Sequence, residues 1–179
     1  MADKDRDRDK DKERKKNGKP NGDAKSTGGG KPAGGRQALI DGLNDDLARE
    51  YQAIIAYVVY SQVLKGAEYM AIAKELESHA GEELAHALTV SKHIDYLGGK
   101  PTVAAKPVKQ TDDATEMLKA DLENENETVR NYRKRVQQCE KLGEYGIAED
   151  IREILRQEQE HQSDLATALG IDVPDVSKS

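Results

Sequence analysis

The sequence predicts an all-α chain, a four-helix bundle with one long crossover between helices two and three. Three observations carry that expectation. Apolar residues recur at helical spacing in four separate stretches, and strand-like alternation appears in none. Turn residues punctuate the stretches, closely spaced in two places and widely in a third. The first two stretches also repeat in the last two at a shift of 75 residues, at positions that are polar or aromatic.

The first element begins near Leu39. Ile40, Leu43, Leu47, Ile54, Ser61 and Leu64 fall on one stripe, and Glu50 and Tyr57 fall on it too. Gly66 stands where a helix C′ residue is expected. The second stripe runs Tyr69, Ile72, Leu76, His79, Glu83, His86, Val90, His93, Leu97, and Gly98-Gly99-Lys100-Pro101 ends it. Thr111-Asp112-Asp113 reads as the N-cap of the third helix, with the stripe Leu118, Leu122, Glu125, Val129, Tyr132, Val136, Cys139. Gly143-Glu144-Tyr145-Gly146 is a turn, and Ile147, Ile151, Ile154, Glu158, His161, Leu165 and Ala168 form the fourth stripe, ending at Gly170. Short turns make two antiparallel hairpins. The 13 residues from Gly98 to Gln110 could span about 43 Å at about 3.3 Å each. A 30-residue helix is about 45 Å long, so this link can traverse the bundle and leave helices two and three parallel.

Composition narrows the class. The 179 residues (19.7 kDa) are 35% charged with a mean hydropathy of -0.86, and no stretch approaches the roughly 18 uncharged apolar residues of a membrane-spanning helix. Residues 1–36 carry 12 Lys/Arg and 7 Asp/Glu with almost nothing apolar, so a disordered, charged Gly/Lys-rich tail is expected there. Residues 37–170 are the expected bundle and 171–179 a short C-terminal tail. From residue 37 onward the net charge is -11, which favours cations. The charged N-terminus predicts no signal peptide and a cytoplasmic location. Cys139 is the single cysteine, so no internal disulfide framework and no CxxC motif exists; it is expected to be a small buried hydrophobe.

The chemistry lies on the inward stripes. Under the 75-residue shift Glu50 falls on Glu125, Tyr57 on Tyr132, Glu83 on Glu158 and His86 on His161. Burying four carboxylates is expensive unless something positive neutralises them. No Lys or Arg occupies these stripe positions, so metal is the expected compensation. Glu and His at i, i+3 point the same way and can hold one ion. A single Glu-x-x-His arises by chance in many helices; two of them in phase with two further Glu residues do not. Two such motifs and two lone Glu residues make a di-iron or di-manganese set, since oxygen-rich donors with one imidazole per metal suit either ion. Tyr57 and Tyr132 are read as packing groups or as electron donors beside the metals. His79 and His93 are read as satisfied histidines near the ligands, with an accessory iron position as the alternative.

Four segments, Leu47-Ala48-Arg49-Glu50, Glu83-Leu84-Ala85-His86, Asp121-Leu122-Glu123-Asn124-Glu125 and Glu158-Gln159-Glu160-His161, resemble the bacterioferritin branch of the ferritin-like superfamily. The resemblance covers about residues 38–169 and implies the ferritin-like four-helix bundle. Carried over by position, it implies that Glu50 and Glu125 are terminal ligands, that Glu83 and Glu158 bridge, that His86 and His161 each bind one metal, and that Tyr57 is the tyrosine near the site. It further implies a di-iron ferroxidase that oxidises Fe(II) with O2 or H2O2 for iron storage or detoxification. Three departures add expectations. Bacterioferritins bind haem through a Met directly after the first bridging Glu; here that residue is Leu84, so no haem is expected. Rubrerythrins add a Glu three residues after the third-helix ligand, where this chain has Thr128. Large ferritin shells use a fifth helix, whereas nine residues including Pro174 follow Gly170, so a homo-oligomer of two or twelve chains is expected rather than twenty-four. The alternatives are a non-storing di-metal oxidase, peroxidase or catalase, and a non-catalytic partner-binding bundle. The tail is expected to solubilise or tether, with DNA binding as its alternative; alternation of acid and base over residues 3–16 largely cancels its charge.

Overall fold

Four long amphipathic stretches can bury their apolar faces only against one another, and they do. The computed structural model describes residues 33–177. Helix α1 spans Ala33–Val63, α2 Met70–Tyr96, α3 Ala114–Leu142 and α4 Tyr145–Leu169, and no strand occurs among the described residues. The tail expectation for residues 1–32 lies outside the described residues. Its last four residues, 33–36, are the first turn of α1, where Arg36 Nε donates to the Leu97 carbonyl at 3.0 Å and ties the helix start to the end of α2. Gly66 is not the C′ residue of α1. The helix stops at Val63, and Gly66, with φ 118°, opens a three-residue 3-10 turn, Ala67–Tyr69, that takes Tyr69 out of α2.

The other boundaries follow local chemistry. Asp113 caps α3 by accepting from the Glu116 amide at 2.8 Å. Gly143 closes α3 in the left-handed conformation, φ 67°, which a residue with a Cβ adopts only at a cost. The crossover is strapped along α1. Thr102 donates its amide to Asn44 Oδ1 at 2.7 Å, Lys106 its amide to the Ala48 carbonyl at 2.9 Å, and Gln52 Nε2 donates to the Pro107 carbonyl at 2.7 Å. The Tyr60 hydroxyl donates to the Lys109 carbonyl. The link therefore runs antiparallel to α2 and parallel to α1, and α3 starts beside the end of α1. Helices α2 and α3 are parallel as a result.

Residues 171–177 form no helix; the segment folds back so that Val176 is buried. Among the described residues no helix is long and apolar enough to cross a membrane.

The core divides in two. One cluster gathers Leu39, Leu43, Leu47, Val90, Ile94, Cys139, Ile151 and Ile154; the other gathers Ala56, Leu64, Ile72, Leu76, Leu118, Leu122 and Leu165. Between them lies a polar layer. In the first cluster's half, a buried ion pair links Asp46 on α1 to Arg135 on α3, with Arg135 Nε 2.6 Å from Asp46 Oδ2. Gly42 makes room for it: a Cβ there would lie 2.3 Å from the guanidinium carbon. Removing one partner of a buried pair leaves the other charge stranded. Asp46→Ala is expected to destabilise the fold by about 3–5 kcal/mol, read from the shift of the urea midpoint at fixed protein concentration.

Candidate metal centre

The polar layer holds all six residues read from the inward stripes, each nearly inaccessible to solvent. Helix α1 brings Glu50, α2 brings Glu83 and His86, α3 brings Glu125, and α4 brings Glu158 and His161. Their donor atoms fall into two groups, each with all members within 4.8 Å of one another. Glu50, Glu83, His86 and Glu158 form one; Glu83, Glu125, Glu158 and His161 form the other. Glu83 and Glu158 belong to both. The layer thus offers two adjacent four-donor sites that share two carboxylates.

Neighbouring side chains aim these donors. His86 Nε2 meets Gln157 Oε1 at 2.9 Å, and an amide oxygen only accepts, so this nitrogen carries the proton. His161 Nε2 meets Glu82 Oε2 at 2.7 Å in the same manner. Both rings therefore present Nδ1 to the centre, the role that outer partners play around metal-binding imidazoles. The Tyr57 hydroxyl donates to Glu125, and the Tyr132 hydroxyl donates to Glu50. These pairs run across the bundle. Each tyrosine thus holds the lone Glu of the other repeat and not the one two turns away on its own helix.

Several buried atoms are left without a hydrogen-bond partner: Glu50 Oε2, Glu83 Oε1, Glu125 Oε2, both Glu158 oxygens and His161 Nδ1. His161 Nδ1 comes within 2.9 Å of Glu83 Oε1, yet out of line for a hydrogen bond. A buried polar atom without a partner normally costs about 1–3 kcal/mol. A cluster of six such atoms, all on the proposed donor groups, fits cations that would accept their lone pairs.

Without metal, protons keep the layer neutral. Burial, then the charges of Glu158 and Glu83, push Glu50 and Glu125 well above the ordinary carboxylate range, so both hold protons. Glu83 and Glu158 go the other way: burial opposes their charge, but His161 and His86 outweigh it and keep both ionised. Burial likewise opposes charge on the two imidazoles, yet the carboxylates, Glu158 foremost, raise His86 strongly and push His161 up to about 12. Two imidazolium ions thus balance two carboxylates while two carboxylic acids stay neutral. Two divalent cations would balance all four carboxylates equally well.

Three histidines stand seven residues apart on α2 and face α4 in a ladder. His79 Nε2 lies 3.3 Å from Asp164, His86 meets Gln157, and His93 Nε2 lies 2.8 Å from Asp150. His93 is therefore a satisfied histidine beside the second α-helical turn from the site. His79 is lowered by burial and by His161, and stays neutral. Cys139 is buried and unpaired, its thiol pushed up to about 11 by burial. Leu84 faces outward and is half exposed. Sequence reasoning missed Glu82, Gln157, Asp46, Asp121 and Arg135. Two signals were available: under the 75-residue shift Glu82 falls on Gln157 and Asp46 on Asp121.

A four-helix bundle with a single long crossover and paired Glu/His donor groups at mid-height belongs to a small class of folds. Residues 40–172 match the ferritin-like domain family, and the chain belongs to it. Over 138 residues it is 29% identical to a bacterioferritin of Brucella melitensis biotype 1, covering 76% of this chain and 86% of that one. Among solved structures, a ferritin-like diiron-carboxylate protein from Bacillus anthracis superposes with a TM-score of 0.73 at 34% identity, over 75% of this chain and 97% of that chain. A dodecameric thioferritin from Bacteroides fragilis, described as bacterioferritin-related, gives 0.70 at 26% identity, over 75% and 86%.

The proton inventory has a measurable consequence. Loading two divalent cations should displace about four protons per chain, because His86, His161, Glu50 and Glu125 must all give up theirs. Affinity should accordingly rise with pH and be lost as pH falls. Calorimetric titration of metal-free protein with Co(II), repeated in buffers of different ionisation enthalpy, counts those protons.

Proposed function

We propose that the chain is a di-iron ferroxidase: each subunit takes two Fe(II) between Glu50, Glu83, His86, Glu125, Glu158 and His161 and has them oxidised by O2 or H2O2, for iron storage or detoxification. The observation that carries this reading is the set of six unpartnered, buried donor atoms on five of those side chains, Glu50, Glu83, Glu125, Glu158 and His161. Membership of Glu83 and Glu158 in both donor groups supports bridging roles for them, with Glu50 and Glu125 terminal. The electrons balance simply. Two Fe(II) give up one electron each; O2 takes both with two protons to become H2O2, or H2O2 takes both with two protons to become two waters. Manganese fits the same donors and remains the competing metal.

The protein's own groups have definable parts in this reading. Glu82 and Gln157 hold the imidazole Nε2 protons so that Nδ1 is free to bind. Tyr57 and Tyr132 fix one oxygen of each terminal carboxylate, leaving the other to ligate. The apolar clusters on either side keep bulk water out, which strengthens every charge interaction inside. Tyr57 is the tyrosine assigned to the reaction, since it touches both a terminal ligand and, edge-on at 6.2 Å between centroids, the His161 ring. The reading includes no haem, because Leu84 offers no sulfur ligand. It places the protein in the cytoplasm; the unpaired Cys139 needs no oxidising compartment.

Assembly belongs to the same proposal. Gln62 bonds Glu77 and Ile40 sits against Gly99, which fixes the antiparallel register of α1 and α2 and sets Ile55 opposite Leu84. Ile55, Val58, Leu84 and Leu88 are all 46–66% exposed on this outer face. An apolar ridge of that kind suits a second copy of the chain, and a dodecameric relative is known in the Bacteroides fragilis protein. Light scattering should return a mass of two or twelve chains, and Leu88→Lys should shift it toward the monomer; a 24-chain mass would contradict this.

Activity is tested with aerobic Fe(II) added to full-length protein purified without added metal. Wild-type chain should oxidise about two Fe(II) per subunit in a fast phase. Glu83→Ala or Glu158→Ala should reduce that phase to the uncatalysed background with helicity retained. Gln157→Ala, acting through His86, should slow it about 10–100-fold. Full rate and stoichiometry in both glutamate variants would sink the reading in favour of a non-catalytic bundle.

A further inference from the structure

The C-terminal segment meets the bundle at the height of the donor layer. Helix α4 ends at Leu169, and Gly170, with φ 69°, reverses the chain. Gln162 stands seven residues before Leu169, about 10 Å back along the helix. The four residues from Ile171 to Pro174 reach about 13 Å when extended. They bring the Pro174 carbonyl to Gln162 Nε2 at 3.4 Å. The same nitrogen donates to Asn126 Oδ1 on α3 at 2.6 Å. Gln162 follows His161 and Asn126 follows Glu125, so this amide bridge spans the α3/α4 seam beside two members of the donor group Glu83, Glu125, Glu158 and His161. Both amides are buried, Gln162 at 3% and Asn126 at 6% exposure.

The other hairpin closes the equivalent seam differently. Seventy-five residues earlier stand Tyr51 and Ala87. Ala87 is buried, and the Tyr51 ring packs on the apolar cluster beside it. Apolar contact shuts that seam by itself. Two short amides bonded to each other do not, because water replaces such a hydrogen bond at small net cost. Residues 171–177 supply the cover that the amides need, and they are lightly held. The Pro174 contact is long for a hydrogen bond. Val176 is the buried apolar residue of the segment, while Ile171 and Val173 stay 51% and 48% exposed. Segments with few buried apolar contacts are the first to open.

We propose that residues 171–177 are a detachable strap that gates the exchange of divalent cations, through the α3/α4 seam, with Glu83, Glu125, Glu158 and His161. With the strap seated, the amide bridge is dry and the seam is shut. With the strap released, water reaches Gln162 and Asn126, the bridge parts, and a hydrated ion can pass. The gate rests on the reading of those four residues as cation ligands; the strap over the amide bridge does not. Exchange through an open minor state makes entry and departure both scale with the population of that state, so the two rates change together and the affinity does not.

The test follows anaerobic Co(II) uptake by full-length protein in stopped-flow absorbance, with release measured into excess chelator. Val176→Asp removes the strap's apolar hold. A chain ending at Ile171 removes the strap but keeps the bond from the Ile171 amide to the Ala166 carbonyl that finishes α4. Loss of one buried Val shifts a two-state population by about tenfold or more. Both variants should therefore take up and release Co(II) at least about tenfold faster than wild type, with Kd unchanged within about twofold. Stoichiometry and helicity should be those of wild type. In metal-free protein the Gln162 side-chain protons, followed by NMR, should exchange slowly in wild type and rapidly in both variants. Unchanged rates in both variants would overturn the gate, as would rapid Gln162 exchange in wild type. Faster release alone, with weaker binding, would also overturn it, since that marks a structural brace. Wild-type protein that binds no Co(II) would remove the reading of the centre and the gate with it.

Discussion

Charge neutrality in a layer without bulk water is the constraint on which the rest of this structure depends. Four carboxylates and two imidazoles sit at mid-height, between two apolar clusters, where an uncompensated ion costs several kcal/mol. Neutrality has two solutions with the same side chains. In one, four protons reside on the two histidines and on Glu50 and Glu125; in the other, two divalent cations would take their place. Each fully buried Leu or Ile contributes about 1.5–3 kcal/mol, so the clusters also supply the stability that a polar mid-section withholds.

Duplication explains how so many groups are aimed at once. The pairs that orient the six central side chains all join one repeat to the other: Tyr57 to Glu125, Tyr132 to Glu50, His86 to Gln157 and His161 to Glu82. Each hairpin alone would leave its donors unsupported. The long crossover makes the arrangement attainable, since it lets α3 start beside the end of α1 and so brings Glu125 across from Tyr57. The straps from Asn44, Ala48, Gln52 and Tyr60 to the crossover hold α1 in that register. Packing of α2 on α4 at seven-residue intervals, His79 to Asp164, His86 to Gln157 and His93 to Asp150, completes the same alignment from the other side.

The six central residues were legible because two independent periodicities coincide on them, the helical stripe and the 75-residue repeat. The fold was legible for the same reason, with turn residues marking its joints. What the stripes do not encode is which side chains meet across helices, because that depends on rotational phase and axial register. The tyrosine pairs cross from helix to helix, which the period along one helix does not show. Glu82 and Gln157 look like outward residues of an amphipathic helix; their role depends on the neighbour helix lying within reach. Asp46 and Arg135 are far apart in sequence and lie off the donor stripes, so only the close approach of α1 and α3 at Gly42 makes them a pair. The early start of α1 turns on one contact from Arg36 to a carbonyl 61 residues away.

The repeat is also instructive where it is broken. Asp46 and Asp121 are equivalent by sequence, and both are buried. Asp46 has Arg135 beside it, and burial still raises it to about 6. Asp121 has no cation in its place; burial pushes it well above the carboxylate range, and its Oδ2 has no hydrogen-bond partner. The residue equivalent to Arg135 is Tyr60, whose hydroxyl is spent on the crossover carbonyl of Lys109. The two tyrosines at the centre consequently live in different fields. Tyr132 lies toward a fixed ion pair and a cluster of aliphatic side chains, whereas Tyr57 lies against two stacked imidazoles and a proton-bearing carboxyl. The donor atoms are nearly symmetric and their surroundings are not. The half that contains His161 and Tyr57 has the imidazole of His79 where the other half has the apolar Ile154. Near-symmetric donors in an asymmetric shell therefore give the two halves of the layer different electrostatics.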